Sequence, residues 1–146
     1  MRAVLPLILS MLLAACAPPG PPTDDSLYRA LGERPGIAAI VDETLDNIAQ
    51  DSRIVALFAD SDIGRLEEKL VEQICELSGG PCEYTGDSMQ EVHADLGIDP
   101  AEFNAFVEDL RDAMATLDVP ESARNRLLAR LAPMRDEILQ ESSAAE

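Results

Sequence analysis

Apolar residues along most of this chain recur three and four positions apart, the spacing of one helix face. Proline and glycine divide the pattern into segments. Asp25 to Leu31 reads as a short first helix ended near Gly32. Pro35 opens a second helix, with Ile37, Ile40, Val41, Leu45 and Ile48 as its buried stripe. Asp51 or Ser52 caps a brief turn carrying Ile54, Leu57 and Phe58. A longer helix starts at Ser61 or Asp62 and runs through Leu77, with Ile63, Leu66, Leu70, Ile74 and Leu77 facing inward. Gly79-Gly80-Pro81 stops it, and a loop leads to a short helix with Met89, Val92, His93 and Leu96 on one face. Asp99-Pro100 supplies a cap and a first-turn proline for a helix with Phe103, Phe106, Val107, Leu110, Met114 and Leu117 in register. Pro120 starts a last helix carrying Leu127, Leu128, Leu131, Met134, Ile138 and Leu139, and Pro133 inside it removes a backbone donor and predicts a kink. No segment alternates as a half-buried strand does, so the expected fold is all-α, with six or seven helices in one domain.

The first residues do not join this pattern. Arg2 precedes an apolar run from Ala3 to Ala15 that is too short for a stable transmembrane helix, and the run ends Leu13-Ala14-Ala15-Cys16. This resembles a bacterial lipoprotein signal, which implies cleavage before Cys16 and lipidation of its sulfur. Ala17-Pro18-Pro19-Gly20-Pro21-Pro22-Thr23 then reads as a stiff, extended tether. The expected organisation is a signal peptide over 1–15, a lipidated Cys and tether over 16–24, a globular domain over 25–141 and a flexible tail over 142–146. By resemblance to Gram-negative sorting rules, Ala17 favours the outer membrane, so the domain is expected on the periplasmic side, touching the membrane only through its lipid. The formal net charge of −17 agrees, since it opposes both nucleic acid and anionic lipid surfaces.

In an oxidising compartment the two remaining cysteines, Cys75 and Cys82, are either a disulfide or two buried free thiols. They do not form a CxxC redox pair, and with His93 they lack the spacing and the fourth ligand of a zinc site. His93 is the one histidine in the chain, and its place in the stripe with Met89, Val92 and Leu96 turns it inward. An inward imidazole needs a hydrogen bond, a charge partner or a metal.

Four stretches, taken in order, identify the family that the domain resembles. Leu27-Tyr28-Arg29-Ala30-Leu31-Gly32, Leu57-Phe58-Ala59-Asp60, the glycine-rich loop of Gly79-Gly80-Pro81 with Tyr84-Thr85-Gly86, and Met89 through His93 to Gly97-Ile98 followed by Phe103 resemble the truncated haemoglobins of group I. The match covers about Ser26 to Leu139. The resemblance implies a two-over-two helical sandwich and haem b held by His93 as proximal iron ligand. It further implies a pocket formed by Leu45, Phe58, Leu66, Leu70, Tyr84, Met89 and Phe103, and a diatomic gas such as oxygen or nitric oxide as ligand. Neutral imidazole is a good ligand for haem iron, and its other nitrogen can donate to a backbone carbonyl.

The chain departs from the family on the distal side. Many members place Tyr and Gln there as hydrogen-bond donors, whereas the matching positions here read Leu45, Leu66 and Leu70, none of which can donate. Lys69 stands where some members carry a His or Lys that becomes a sixth iron ligand. Here it either does the same or turns outward to pair with Glu72 or a haem propionate. Asp87 replaces an Arg common in the family, and Gln73 a residue that is often aromatic. No catalytic triad is available. The chain has no flavin or nicotinamide fingerprint, so any nitric oxide or oxygen chemistry needs an external electron donor, and ligand binding or electron transfer is the simpler expectation. The alternative is a globin-fold lipoprotein without haem that serves as a structural or partner-binding protein.

Overall fold

A computed structural model of the chain describes residues 24–139. The signal segment, Cys16, the proline-rich tether and the tail over 142–146 lie outside the described residues. Among the described residues there is no strand. Within these residues seven α-helices run in order: α1 (Ser26–Ala30), α2 (Glu33–Gln50), α3 (Ile63–Leu77), α4 (Met89–Val92), α5 (Pro100–Thr116), α6 (Glu121–Leu131) and α7 (Arg135–Ile138). One 3-10 turn, Val55–Phe58, precedes α3, and another, Ala132–Met134, joins α6 to α7. The most extensive contacts set α2 against both α5 and α3, while α6 packs on α3 and α5.

Local chemistry fixes most boundaries. Gly32 takes a left-handed conformation (φ 83°) that lets α1 turn into α2. Helix α2 therefore begins at Glu33, two residues before the proline expected to open it, and Pro35 lies within its first turn. Asp62 caps α3 by accepting from the Arg65 amide at 3.1 Å. Asp99 accepts from the amides of Ala101 and Glu102 at 2.7 and 2.8 Å, and Glu102 returns a bond to the Asp99 amide at 2.9 Å. Ser88 and Glu91 make the same reciprocal cap on α4. Pro133 ends α6 instead of merely kinking it: the chain tightens into the 3-10 turn and resumes as α7.

The core has two parts. The larger joins Leu27, Ile37, Ile40, Val41, Ile74, Met114 and Leu127, and the smaller joins Ile48, Ile54 and Ala105. Four residues assigned to inward stripes depart from that reading. Ile63 at 46% exposure, Leu96 at 45%, Val92 and Leu117 all face solvent to a large degree. Ile63 and Leu117 sit at the ends of α3 and α5, where the neighbouring helix no longer covers them. Val92 and Leu96 lie at the rim of a large cavity.

Candidate functional site

The cavity has a volume of about 620 Å³ and opens between α3 on one side and the segment from α4 into α5 on the other. That is within the size of small-molecule and cofactor sites. Its innermost wall is made by the buried residues Val41, Thr44, Ile54, Gln73, Ile74 and Leu110. Sequence reasoning singled out Leu45 at this level. In the structure Leu45 instead packs between the two core clusters, and Val41 and Thr44 are the α2 residues facing the cavity. The apolar stripe of α2 is broad enough that its face toward the cavity and its face toward the core differ by one residue.

The other expected residues do come together. Leu66, Lys69 and Leu70 line the cavity from α3, and Met89, His93 and Phe103 line it from the opposite wall. Phe58 and Tyr84 border it as well. His93 ends α4 as its C-terminal cap residue and is only part-buried. Its Nδ1 lies 2.7 Å from the Met89 carbonyl oxygen, one turn earlier. A carbonyl oxygen only accepts, so Nδ1 carries the proton and Nε2 is the basic nitrogen.

The loop after α3 folds back along that helix. Cys75 and Cys82 form a disulfide, so of the two alternatives for these thiols the bonded one is observed. Next along the loop, the Tyr84 amide donates to Glu76 at 3.2 Å. The Thr85 amide and hydroxyl donate to Glu72 at 3.1 and 2.8 Å. Lys69 Nζ joins the same cluster, 3.0 Å from Glu72, 3.2 Å from Glu68 and 2.6 Å from the Thr85 hydroxyl. The bond to Lys69, followed by those to Thr85, holds the Glu72 carboxyl down to about 2. Lys69 is raised in turn, first by its bond to Glu72. Lys69 thus pairs with Glu72 in this structure. The Tyr84 hydroxyl donates to the Asp87 carbonyl at 2.9 Å, which makes it an anchor of this loop.

Besides Val41 and Thr44, three further lining residues bear on the chemistry of the cavity and were not assigned to it from the sequence. Arg65 and Arg135 join Lys69 as cations on the lining, which also carries Asp62, Asp87 and Glu102, and Arg135 lies 5.7 Å from the centre of the Phe103 ring. Met134 is the third, brought to the cavity by the 3-10 turn at Pro133. A basic residue just past a helix-breaking proline gives no periodic signal, so only the turn geometry reveals Arg135. Among the described residues no cluster of His, Cys, Asp and Glu has the makings of a bare metal site.

A helical sandwich enclosing an apolar cavity, with one imidazole presented from a short helix, defines a globin. The chain belongs to the bacterial-like globin family, which matches residues 26–140. It is 32% identical over 114 residues to the group 1 truncated haemoglobin of Nostoc sp. (strain MUN 8820), covering 78% of this chain and 97% of that protein. It is 29% identical to the group 1 truncated haemoglobin of Mycolicibacterium paratuberculosis (strain ATCC BAA-968 / K-10), covering 77% of this chain and 83% of the relative. The fold is also that of the truncated haemoglobin from Tetrahymena pyriformis in its Fe(III) form. That match has a TM-score of 0.75 at 24% identity and covers 77% of this chain and 97% of the other. The 2/2 haemoglobin from Synechococcus sp. PCC 7002, solved in the cyanomet state with covalently attached haem, superposes with a TM-score of 0.74 at 21% identity, over 79% and 98% of the two chains.

Proposed function

We propose that this globin binds haem b in the cavity through Nε2 of His93 and takes a diatomic ligand, oxygen or nitric oxide, at the iron. The observation that carries this reading is the bond between His93 Nδ1 and the Met89 carbonyl. It fixes the tautomer that leaves Nε2 basic, on a residue that borders an apolar cavity. The rest of the lining fits the same group. Phe58, Phe103, Leu66 and Leu70 offer apolar surface to a flat macrocycle, and Arg65 and Arg135 offer cations to its carboxylates. Haem, when bound, would supply an iron centre at which the gas binds. With its amine held by Glu72 and Thr85, Lys69 would leave that iron to exogenous ligands near neutral pH. The leucines at 66 and 70 donate no hydrogen bond to them. The N-terminal sequence supports a further element: lipidation at Cys16 and display of the globin on the periplasmic side of a bacterial membrane, with the outer membrane favoured.

The test is an absorption spectrum of the full chain purified with haem, beside His93→Ala. A stoichiometric Soret band that His93→Ala loses or grossly alters supports the reading. A protein that takes up no haem, or a band indifferent to His93, overturns it in favour of a globin-fold lipoprotein whose function lies on its surface.

A further inference from the structure

Each polar hydrogen bordering the cavity can be traced to an acceptor or to solvent, with one exception. The Thr44 hydroxyl donates to the Ile40 carbonyl at 2.6 Å, and the Tyr84 hydroxyl to the Asp87 carbonyl at 2.9 Å. Lys69 is held by two carboxylates and the Thr85 oxygen. The His93 ring donates to the Met89 carbonyl at 2.7 Å, Ser61 and Arg65 are exposed to solvent at the mouth, and Arg135 pairs with Asp136 at 3.8 Å and reaches over the Phe103 ring. The exception is Gln73. It is only 8% exposed and lines the cavity, and its Nε2 lies against two thioethers, Met89 Sδ at 3.2 Å and Met134 Sδ at 3.7 Å. Sulfur of this kind is a weak acceptor. An amide buried among such partners forgoes most of the hydrogen bonding it would have in water. Gln73 follows Leu70 by three residues and Leu66 by seven, so it shares their helix face.

We propose that Gln73 is the hydrogen-bond donor to the ligand held in this cavity, supplying from one turn further along α3 what the leucines at 66 and 70 lack. The proposal rests on the haem reading given above, because the ligand is the gas at the haem iron. An oxygen or nitric oxide ligand gathers negative charge on its outer atom and is a better acceptor than a thioether. The amide swings between the two thioethers and the ligand, and Met89 and Met134 serve as its resting partners. This makes Gln73 a residue that discriminates among ligands: those that gather charge are retained, and apolar carbon monoxide gains less.

The experiment compares the full chain with Gln73→Met, an unbranched side chain of similar length without a donor, and with Gln73→Leu. Each protein is loaded with haem, and three quantities are read: haem stoichiometry from the Soret band, the infrared stretch of bound carbon monoxide, and the rate of oxygen release. The expected result is full haem loading in all three proteins, a higher carbon monoxide stretch in both variants, and oxygen release faster by about tenfold, the effect of one lost hydrogen bond to a charge-bearing acceptor. The melting temperature without haem should hold or rise in both variants, since an amide with poor partners is removed. A stretch and a release rate equal to those of the unaltered chain overturn the assignment while leaving the haem reading intact. Loss of haem or a lowered melting temperature in both variants also overturns it, making Gln73 a packing residue for Met89 and Met134. Absence of a Soret band in the unaltered chain overturns the haem reading and the assignment together.

Discussion

Breaking the Cys75–Cys82 bond is the perturbation whose cost follows most directly from the structure. The two residues are seven positions apart, so the bond closes a short loop in the unfolded chain. In the chain-entropy treatment a loop of that length removes about 2.5 kcal/mol of unfolded-state freedom. For a domain of this size, at about 2.1 cal/mol/K of unfolding entropy per residue, that corresponds to a melting temperature lower by about 10 °C. The folded state gives little back. Cys75 is fully buried in the main core and Gly80 packs so close that an added Cβ would press on the Cys75 sulfur and the Tyr28 ring. Cys75 therefore has little room to move on reduction, and the separation of the thiols falls to Cys82, which is only part-buried. The assay is urea unfolding of the haem-free protein followed by circular dichroism, with and without a dithiol reductant. Cys75→Ala/Cys82→Ala serves as the control that reductant must leave unchanged. A shift near 2.5 kcal/mol on reduction supports the argument. A shift below about 0.5 kcal/mol refutes it, because the loop would then be closed already in the unfolded chain or held by the Glu72 and Glu76 hydrogen bonds alone.

Three other outcomes are expected. The Lys69 amine is raised by its bond to Glu72, so the ion pair is fully present below the ordinary lysine value of 10.5 and is lost as pH rises through the raised one. Ferrous haem-loaded protein should therefore show no lysine-ligated low-spin bands at pH 7 and acquire them only at strongly alkaline pH. Lys69→Ala should abolish the transition and Glu72→Gln should bring it to lower pH, whereas indifference to both would exclude Lys69 as the ligand. Asp109 is 8% exposed, its Oδ2 has no hydrogen-bond partner, and burial, followed by the Asp51 charge, raises its carboxyl. A raised carboxyl costs stability once ionised, so Asp109→Asn should gain about 1 kcal/mol at pH 7 in urea unfolding, with the gain shrinking as pH falls through the raised value. Cys16→Ser should abolish incorporation of labelled palmitate and release the globin from the membrane fraction; unchanged membrane association would refute the lipid anchor.

The helices were legible because their punctuation is chemical. Asp62, Asp99 and Pro100 fall where the sequence expects caps and first turns, and the breakers at Gly32 and Gly79 lie at real helix ends. The single histidine and its apolar stripe were equally plain. What periodicity blurs is the side of a stripe on which a residue works. Val41, Thr44 and Leu45 lie within one turn of α2, yet only the first two reach the cavity. Lys69 was ambiguous for a different reason: its partner Thr85 is sixteen residues away, on a loop whose course the disulfide and Glu72 decide. The thioether surroundings of Gln73 were hidden because Met89 and Met134 are distant in sequence.

The misassigned apolar residues carry information of their own. A periodic stripe predicts that Met89, Val92, His93 and Leu96 are all covered, yet Val92 and Leu96 are exposed and His93 is part-buried. On α5 the same holds for Phe103, Phe106 and Val107, which are half-buried, whereas Leu110, Met114 and Ala113 further along are fully covered. Apart from Ile63 and Leu117 at helix ends, the shortfall gathers in one place. Val92, Leu96, Phe103, Phe106 and Val107 all border the large cavity, while Leu27, Ile37, Ile40, Met114 and Leu127 are buried in the main core. A chain selected only to bury its own side chains has no reason to keep an apolar stripe that its own helices leave uncovered. A chain whose stripe is completed by a flat apolar group does. On the haem reading, binding should therefore raise the melting temperature with ligand concentration, by RT ln(1 + [L]/Kd), and protect the amides of α4 and the first turns of α5 from exchange more than those of α6. Protection spread evenly over all helices would mean that the cavity is not where the group binds.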